Sequence, residues 1–313
     1  MAEKEYTPLL SICIPIYNRK EFLKMMLEKF LEDKELFQEE IHLFISDNGS
    51  SDNLQEIADE YFANGLTLEF HRNPQNLGMD GNYVTCLKHS KGKYVWLLGS
   101  DDIPVSGYIQ KIVKALRGKD YGFMYLNCSD KVYNQVTEYR DSEQFLEALS
   151  YYSTYISSSI VNSRLVHQFD YSQYIGSLFS FLPLFLSTIV SSKVNAVFPS
   201  LQKEPQADKT DSYNFFKIFI TNLHNIYQEY VGNGLIKQAT FEKIKKEEYE
   251  IFISDHILKL FIYNENPAGF DKHGAFGIIW SNYWKYGYFY RSLFYFGYKY
   301  IRHAVGNIIR NHQ

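Results

Sequence analysis

The sequence predicts an α/β fold, a mainly parallel sheet flanked by helices, followed by a helical, aromatic-rich C-terminal region. Two observations carry this. Short apolar runs alternate with stretches of helical period through about the first 120 residues, which is the rhythm of right-handed βαβ units. Each run also ends abruptly in a polar, turn-forming cluster, as buried strands do where they leave a core.

The first strand is Leu9 to Ile16, closed by Tyr17-Asn18. Lys20 to Asp33 is helical, with Phe22, Leu23, Met26, Leu27, Phe30 and Leu31 at the 3.6-residue spacing. Ile41 to Ser46 is a second strand, and Asp47-Asn48-Gly49-Ser50-Ser51 a turn. Asp52 is positioned to N-cap the next helix, Gln55 completing a capping-box-like pair, and that helix ends near Asn64-Gly65. Leu66 to His71 is extended, Asn76 to His89 helical, Lys93 to Gly99 a fourth strand, Val105 to Arg117 helical and Tyr121 to Asn127 extended. From Ser129 the rhythm fades. Ile156 to Val161 reads as a strand in a serine-rich patch. Tyr171 to Ser192 runs 22 residues without a charge. Pro183, Gln173 and the serines favour a buried helix there over a membrane span. Asp211 to Lys272 is largely helical by pattern.

Hydrophobic residues at 45% and charged residues at 22% suffice to bury a core. Cys13, Cys86 and Cys128 are widely spaced, without metal-ligand spacing, and suit a reducing cytoplasm. The charged start Met1-Ala2-Glu3-Lys4-Glu5 carries no apolar segment, so no signal peptide is expected. Charge is uneven. Beyond Asp271 there is no acidic residue, and a tail of +6 within a chain of net −4 leaves residues 1–271 at −10. Such an acidic body argues against nucleic acid as partner. Twelve aromatics lie from Trp280 to Tyr300, with lysines and arginines between them. Aromatic and basic residues together suit an anionic membrane surface. The alternative is a helix packed on the core with its aromatics inside.

Four polar segments follow strands: Pro15-Ile16-Tyr17-Asn18-Arg19, Ser46 to Asp52, Asn76 to Asn82, and Ser100-Asp101-Asp102. In an open α/β sheet such ends converge on one crevice. Two adjacent carboxylates on a strand end can hold a hard divalent cation, which prefers oxygen ligands. Alone, the pair also reads as a surface loop capping the next helix.

Together these segments resemble glycosyltransferase family 2, nucleotide-diphospho-sugar transferases of the GT-A fold. The matching pieces are SICIPIYNR at 11–19, ISDNGSSDN at 45–53, NLGMDGNY at 76–83 and YVWLLGSDD at 94–102. ISSSIVNSRL at 156–165 looks like the abequosyltransferase-like branch, enzymes of bacterial surface polysaccharides. The resemblance implies a Rossmann-like domain with a nucleotide-sugar-binding half at 1–125 and an acceptor-binding half at 126–210. A helical region at 211–313, membrane-associating by its composition, would follow.

It also implies site residues. Asp101 and Asp102 fall at the DXD-type position, Asp102 ligating Mn²⁺ or Mg²⁺ and Asp101 sharing the metal or contacting the ribose. Gly99 and Ser100 stand where the family often has another acid. Asp47 matches the carboxylate that reads the base, Asn48 departing from a second Asp. Pro15, Tyr17 and Asn18 would line the base and ribose pocket, and Asn76, Gly78 and Asn82 would approach the nucleotide. The family's acidic base would fall near Ser180-Phe181, where this chain has none, so Asp170 and Asp208 become the candidate bases.

The implied reaction is inverting, metal-dependent transfer of a sugar from a nucleotide-diphosphate donor to a saccharide acceptor. The acceptor would be lipid-linked and the protein peripheral at the inner face of the cell membrane. Two alternatives stand. Sugar nucleotidyl transfer needs a glycine-rich loop that Pro15 to Lys20 lacks. A non-catalytic nucleotide-binding scaffold fits the shortened motif.

Overall fold

The computed structural model describes residues 7–204 and 213–311, with side chains through 305. The chain divides into two compact units, Met1–Ala207 and Asp208–Gln313.

The first unit is an eight-stranded sheet in the order β3-β2-β1-β4-β7-β5-β8-β6. Strands β1 (Leu10–Ile16), β2 (Ile41–Asp47), β3 (Glu69–Arg72) and β4 (Tyr94–Leu97) are mutually parallel. β5 (Phe123–Leu126) runs parallel to β8 (Asn195–Phe198). β7 (Ser159–Asn162) is antiparallel between β4 and β5, and β6 (Thr137–Tyr139) is antiparallel at the edge. The sheet is therefore mainly parallel. β1 and β4 are buried throughout or nearly so, because helices cover both faces of a parallel sheet.

Helix α1 (Lys20–Leu31) buries Leu23, Met26, Leu27 and Phe30, the face its spacing predicts. A short α2 (Lys34–Glu39) follows, where the sequence pattern ends the helix at Asp33. Phe37 stacks on Phe30 at 5.0 Å and holds the extra turn in place. α3 (Leu54–Ala63), α4 (Gly78–His89) and α5 (Tyr108–Leu116) complete the alternation. Three elements beyond Ser129 escape the pattern: β6, β8 and α6 (Ser142–Leu149). The strands have three and four residues, too few for periodicity to register. α6 carries a legible cap, the Asp141 carboxylate accepting from the N–H groups of Glu143 and Gln144. The charge-free segment contains a buried helix, α7 (Leu182–Ser191), entered through Pro183. No helix among the described residues is long and apolar enough to cross a membrane.

The second unit is helical: α8 (Leu223–Gly232), α9 (Gln238–Glu247), α10 (Ser254–Ile257), α11 (Ala275–Tyr283) and α12 (Gly287–Asn311). Wider π turns at Lys217–Asn222, Glu248–Ile253 and Leu258–Ile262 interrupt them. Phe216, Tyr249, Ile253, Tyr283 and Phe296 belong to its core.

Candidate active site

The chain runs outward from β1 to β2 and β3, then returns to place β4 on the other side of β1. Loops after β1 and β4 therefore part at a topological switch point, where open α/β sheets bind ligands. The Arg19 guanidinium, just beyond β1, bridges that gap. It donates to Ser100 Oγ at 3.0 Å and lies 3.4 Å from Asp101 Oδ1.

Asp102 is buried beside it. Ser157 Oγ donates to Asp102 Oδ2 at 2.5 Å, and the Lys203 ammonium pairs with Oδ1. Ser157 is itself fixed, accepting from the Gly99 N–H at 2.9 Å while its carbonyl accepts from Trp96 Nε1 at 2.8 Å. Lys203 sits on a backbone bridge to Pro104, and the next residue, Glu204, donates its N–H to Ile103 O at 2.8 Å. The ammonium also lies 5.3 Å from the centre of the Tyr155 ring. Burial, then the Asp102 charge, pushes the Tyr155 hydroxyl well above the ordinary tyrosine range.

Gly99 is closely surrounded by this cluster. A Cβ there would lie 3.0 Å from Asp102 Oδ2, 3.1 Å from Ser157 Oγ and 3.2 Å from Asp101 Oδ1. Both carboxylates thus face the space that glycine leaves open. Among the described residues no group of three or more His, Cys, Asp or Glu converges as a metal cage. Two carboxylates still fit a hard divalent ion, which commonly takes one or two protein oxygens and completes its shell with substrate phosphates.

At the β2 end Asp47 is fully buried, 0% exposed. Its Oδ1 accepts from Ser50 N at 2.8 Å. Among the described residues Oδ2 has no hydrogen bond and only the Arg72 guanidinium at 3.3 Å. An unfilled acceptor on a buried carboxylate can take a ligand N–H. Asn18, with φ of +52°, is held against this loop, its Oδ1 accepting from Ser51 N at 2.8 Å. Pro15 is half-buried, and Tyr17 is 41% exposed beyond it.

Asp52 caps a helix other than the expected one. Its Oδ2 accepts from Lys20 N at 2.8 Å, at the start of α1. α3 begins after Asn53 with no side-chain cap. Arg19 supplies no acceptor to α1, and the adjacent loop does.

The third segment divides. Gly78, with φ of +73°, opens α4 and is exposed, as is Asn76. Asn82 instead is buried and fully engaged. It accepts from Ser46 Oγ at 2.6 Å and Asn73 Nδ2 at 3.1 Å, and donates to Ser46 O at 3.1 Å. Asn48 works alongside it, accepting from Leu77 N and donating to Asn76 Oδ1, both at 2.9 Å. These two asparagines clamp the loop before α4 onto β2. Gly49 is required at that clamp: φ is +76°, and a Cβ would come 3.0 Å from the Gln75 backbone.

Asp170 does not join this cluster. It is exposed, accepts from Ser172 N at 2.9 Å, and that bond holds its carboxyl below the ordinary range. Lys88 in the last turn of α4 is the cation that acts on it. The first turn of that helix faces the strand ends, roughly 15 Å away at 1.5 Å per residue. Asp208 lies outside the described residues.

Sequence inspection missed Asp80. It is buried in the first turn of α4, and its carboxylate accepts from Gly176 N at 2.7 Å, Leu178 N at 2.9 Å and Ser180 N at 2.9 Å. It fixes the loop leading to α7, including Leu178 at φ of +64°. Ser180, where the family's acid is expected, is thus bonded to an acid from α4.

Residues 11–173, more than half of the chain, match Glycosyl transferase family 2. Abequosyltransferase RfbV of Salmonella typhimurium (strain LT2) is 40% identical over 95 residues, 30% of this chain. The chain spans only 28% of that protein's length. Two solved structures share the fold. Staphylococcus aureus TarS 1–349 in complex with UDP-GlcNAc aligns over 97% of this chain and 92% of its own, with a TM-score of 0.64 at 14% identity. The mannosyltransferase PcManGT of Pyrobaculum calidifontis, in complex with GDP-Man and Mn²⁺, aligns over 97% and 88%, with a TM-score of 0.54 at 15% identity.

Proposed function

Because the chain belongs to glycosyltransferase family 2, we propose that it transfers a hexosyl or deoxyhexosyl unit from a nucleoside-diphosphate donor to a saccharide acceptor. The transfer inverts the anomeric centre and uses Mn²⁺ or Mg²⁺ held by Asp101 and Asp102. The acceptor is a lipid-linked saccharide of bacterial surface polysaccharide or glycan synthesis, met at the inner face of the cell membrane. One observation carries the reading: Arg19, Asp101, Asp102 and Lys203 are drawn together at the switch point. TarS 1–349 is in complex with UDP-GlcNAc and PcManGT with GDP-Man and Mn²⁺, which supports a nucleotide sugar and a divalent ion as chemical classes.

Displacement at the anomeric carbon releases a diphosphate, and negative charge grows on it in the transition state. A bound divalent cation supplies Lewis-acid neutralisation of that charge. Arg19 and Lys203 add two fixed cations beside it, pre-aimed by Ser100 and by the Pro104 bridge. Asp47 Oδ2 accepts from a base N–H, while Pro15, Tyr17 and Asn18 border the base and ribose. Asn76 and Gly78 meet the nucleotide, and Asn82 acts behind them by holding their loop. Asp208, four residues past Glu204, is the remaining candidate base. Exposure and a lowered proton affinity disfavour Asp170 in that role.

A thermal-shift screen of nucleotide sugars with and without Mn²⁺ tests this, because a bound donor stabilises the fold by mass action. A metal-dependent shift followed by turnover of that donor is expected. A second reading, a nucleotide-binding scaffold, is favoured by the full engagement of both Asp102 oxygens. A shift without transfer or hydrolysis of any nucleotide sugar selects it.

A further inference from the structure

Helix α12 has two apolar faces. Phe289 and Phe296, seven residues apart, point into the core of the second unit. At 100° per residue, Tyr290, Phe294, Tyr298, Ile301 and Val305 lie about 120–200° around the helix from Phe296. All five are exposed, Phe294 at 83% and Ile301 at 64%. Their spacing of 4, 4, 3 and 4 residues is that of an apolar helix stripe. Phe276 and Trp280 of α11 and Trp284 at its C-cap repeat the arrangement, likewise exposed and four residues apart. Large apolar groups left in water at helical spacing mark an interaction surface.

The charges decide the partner. Arg291 and Arg302 border one edge of the α12 stripe, Lys285 precedes it, and no acidic residue follows Asp271. Arg291 is partly compensated, 3.7 Å from Glu250. A second copy docking stripe to stripe would set cations against cations with no carboxylate on α12 to answer them. An anionic bilayer answers them all. Its acyl boundary takes the aromatic and aliphatic side chains, and its headgroup phosphates take lysine and arginine.

We propose that α11 and α12 form a monotopic docking face for anionic phospholipid, lying in the plane of the bilayer surface without crossing it. Its purpose rests on the lipid-borne acceptor argued above. Its binding needs neither donor nor acceptor, so the two can fail separately. The test is flotation of the full chain with phosphatidylglycerol/phosphatidylcholine vesicles and with phosphatidylcholine alone. Binding to the anionic vesicles, weakened by salt, is expected. Phe294→Ser with Ile301→Ser abolishes it, and Arg302→Gln or Lys285→Gln each weakens it roughly fivefold. Because these side chains are exposed, circular dichroism and Tm stay at the parent values. Undiminished flotation of the Phe294→Ser, Ile301→Ser protein overturns the proposal. So does a dimer in light scattering that this variant reduces to monomer while neither protein floats.

Discussion

The Lys203 ammonium is paired with Oδ1 of Asp102, the carboxylate assigned to the divalent ion. The two residues are 101 positions apart. They meet because the strand end after β8 is stitched to the segment after β4 through the Pro104–Lys203 bridge. On the proposed function, Lys203 would compete with a metal for Asp102 when the donor is absent, and would meet the diphosphate when it is present.

Removing that ammonium has effects of opposite sign. In Lys203→Met, Mn²⁺ alone binds more tightly, by roughly fivefold for an ion pair of about 1 kcal/mol whose lysine is partly exposed. The nucleoside diphosphate binds more weakly by a similar factor. Calorimetric titration of each ligand separately reads both. Weaker Mn²⁺ binding would show that Lys203 supports the metal rather than rivals it.

On the proposed function, Asp47 would offer its unfilled Oδ2 to the base. Asp47→Asn replaces a charged acceptor, so affinity for the preferred nucleoside diphosphate falls by about tenfold to a hundredfold. Affinity for other bases changes less. Equal losses across a panel of nucleoside diphosphates would leave Asp47 as a turn residue, held by Ser50 and paired with Arg72.

Asp80 is a structural anchor. Asp80→Asn removes the charge that satisfies three N–H groups of the loop at 176–180. A loss of about 3 kcal/mol is expected in urea unfolding. A change within about 0.5 kcal/mol, the range of ordinary surface substitutions, contradicts it.

In the second unit, Glu248 and His224 form a buried pair, 2.7 Å apart. Burial raises the Glu248 carboxyl above its ordinary value, against the pull of His224 and Lys245. A raised folded-state value contributes stability that is complete below the unfolded value and lost as pH climbs through the folded one. Glu248→Gln cannot titrate, so it gains on the parent as pH rises above the ordinary glutamate value of about 4. Urea midpoints of both proteins across that range decide it. A constant difference refutes the assignment.

The left half of the sheet was legible because β1, β2 and β4 are apolar runs with polar ends, and those ends named Asp47, Asp101 and Asp102. Lys203 was illegible because β8 has four residues and left no periodic trace. Ser157 fell in the serine-rich patch that the sequence flagged, but only the antiparallel course of β7 brings it to Asp102. Asp80 reads in sequence as a helix-dipole residue, and its partners lie about a hundred positions on. Asn82, taken for a ligand contact, proves to be a buried clamp, which only its three bonds reveal. Backbone pairing between distant segments carries no local signal.

The decisive measurement is the initial rate of sugar transfer, with Mn²⁺ and the donor that thermal shift selects, by the parent and by the Asp101→Ala, Asp102→Ala double variant. With folding verified by circular dichroism, the rate should fall by at least about a hundredfold. Undiminished transfer by the folded variant would contradict a reaction built on these two carboxylates.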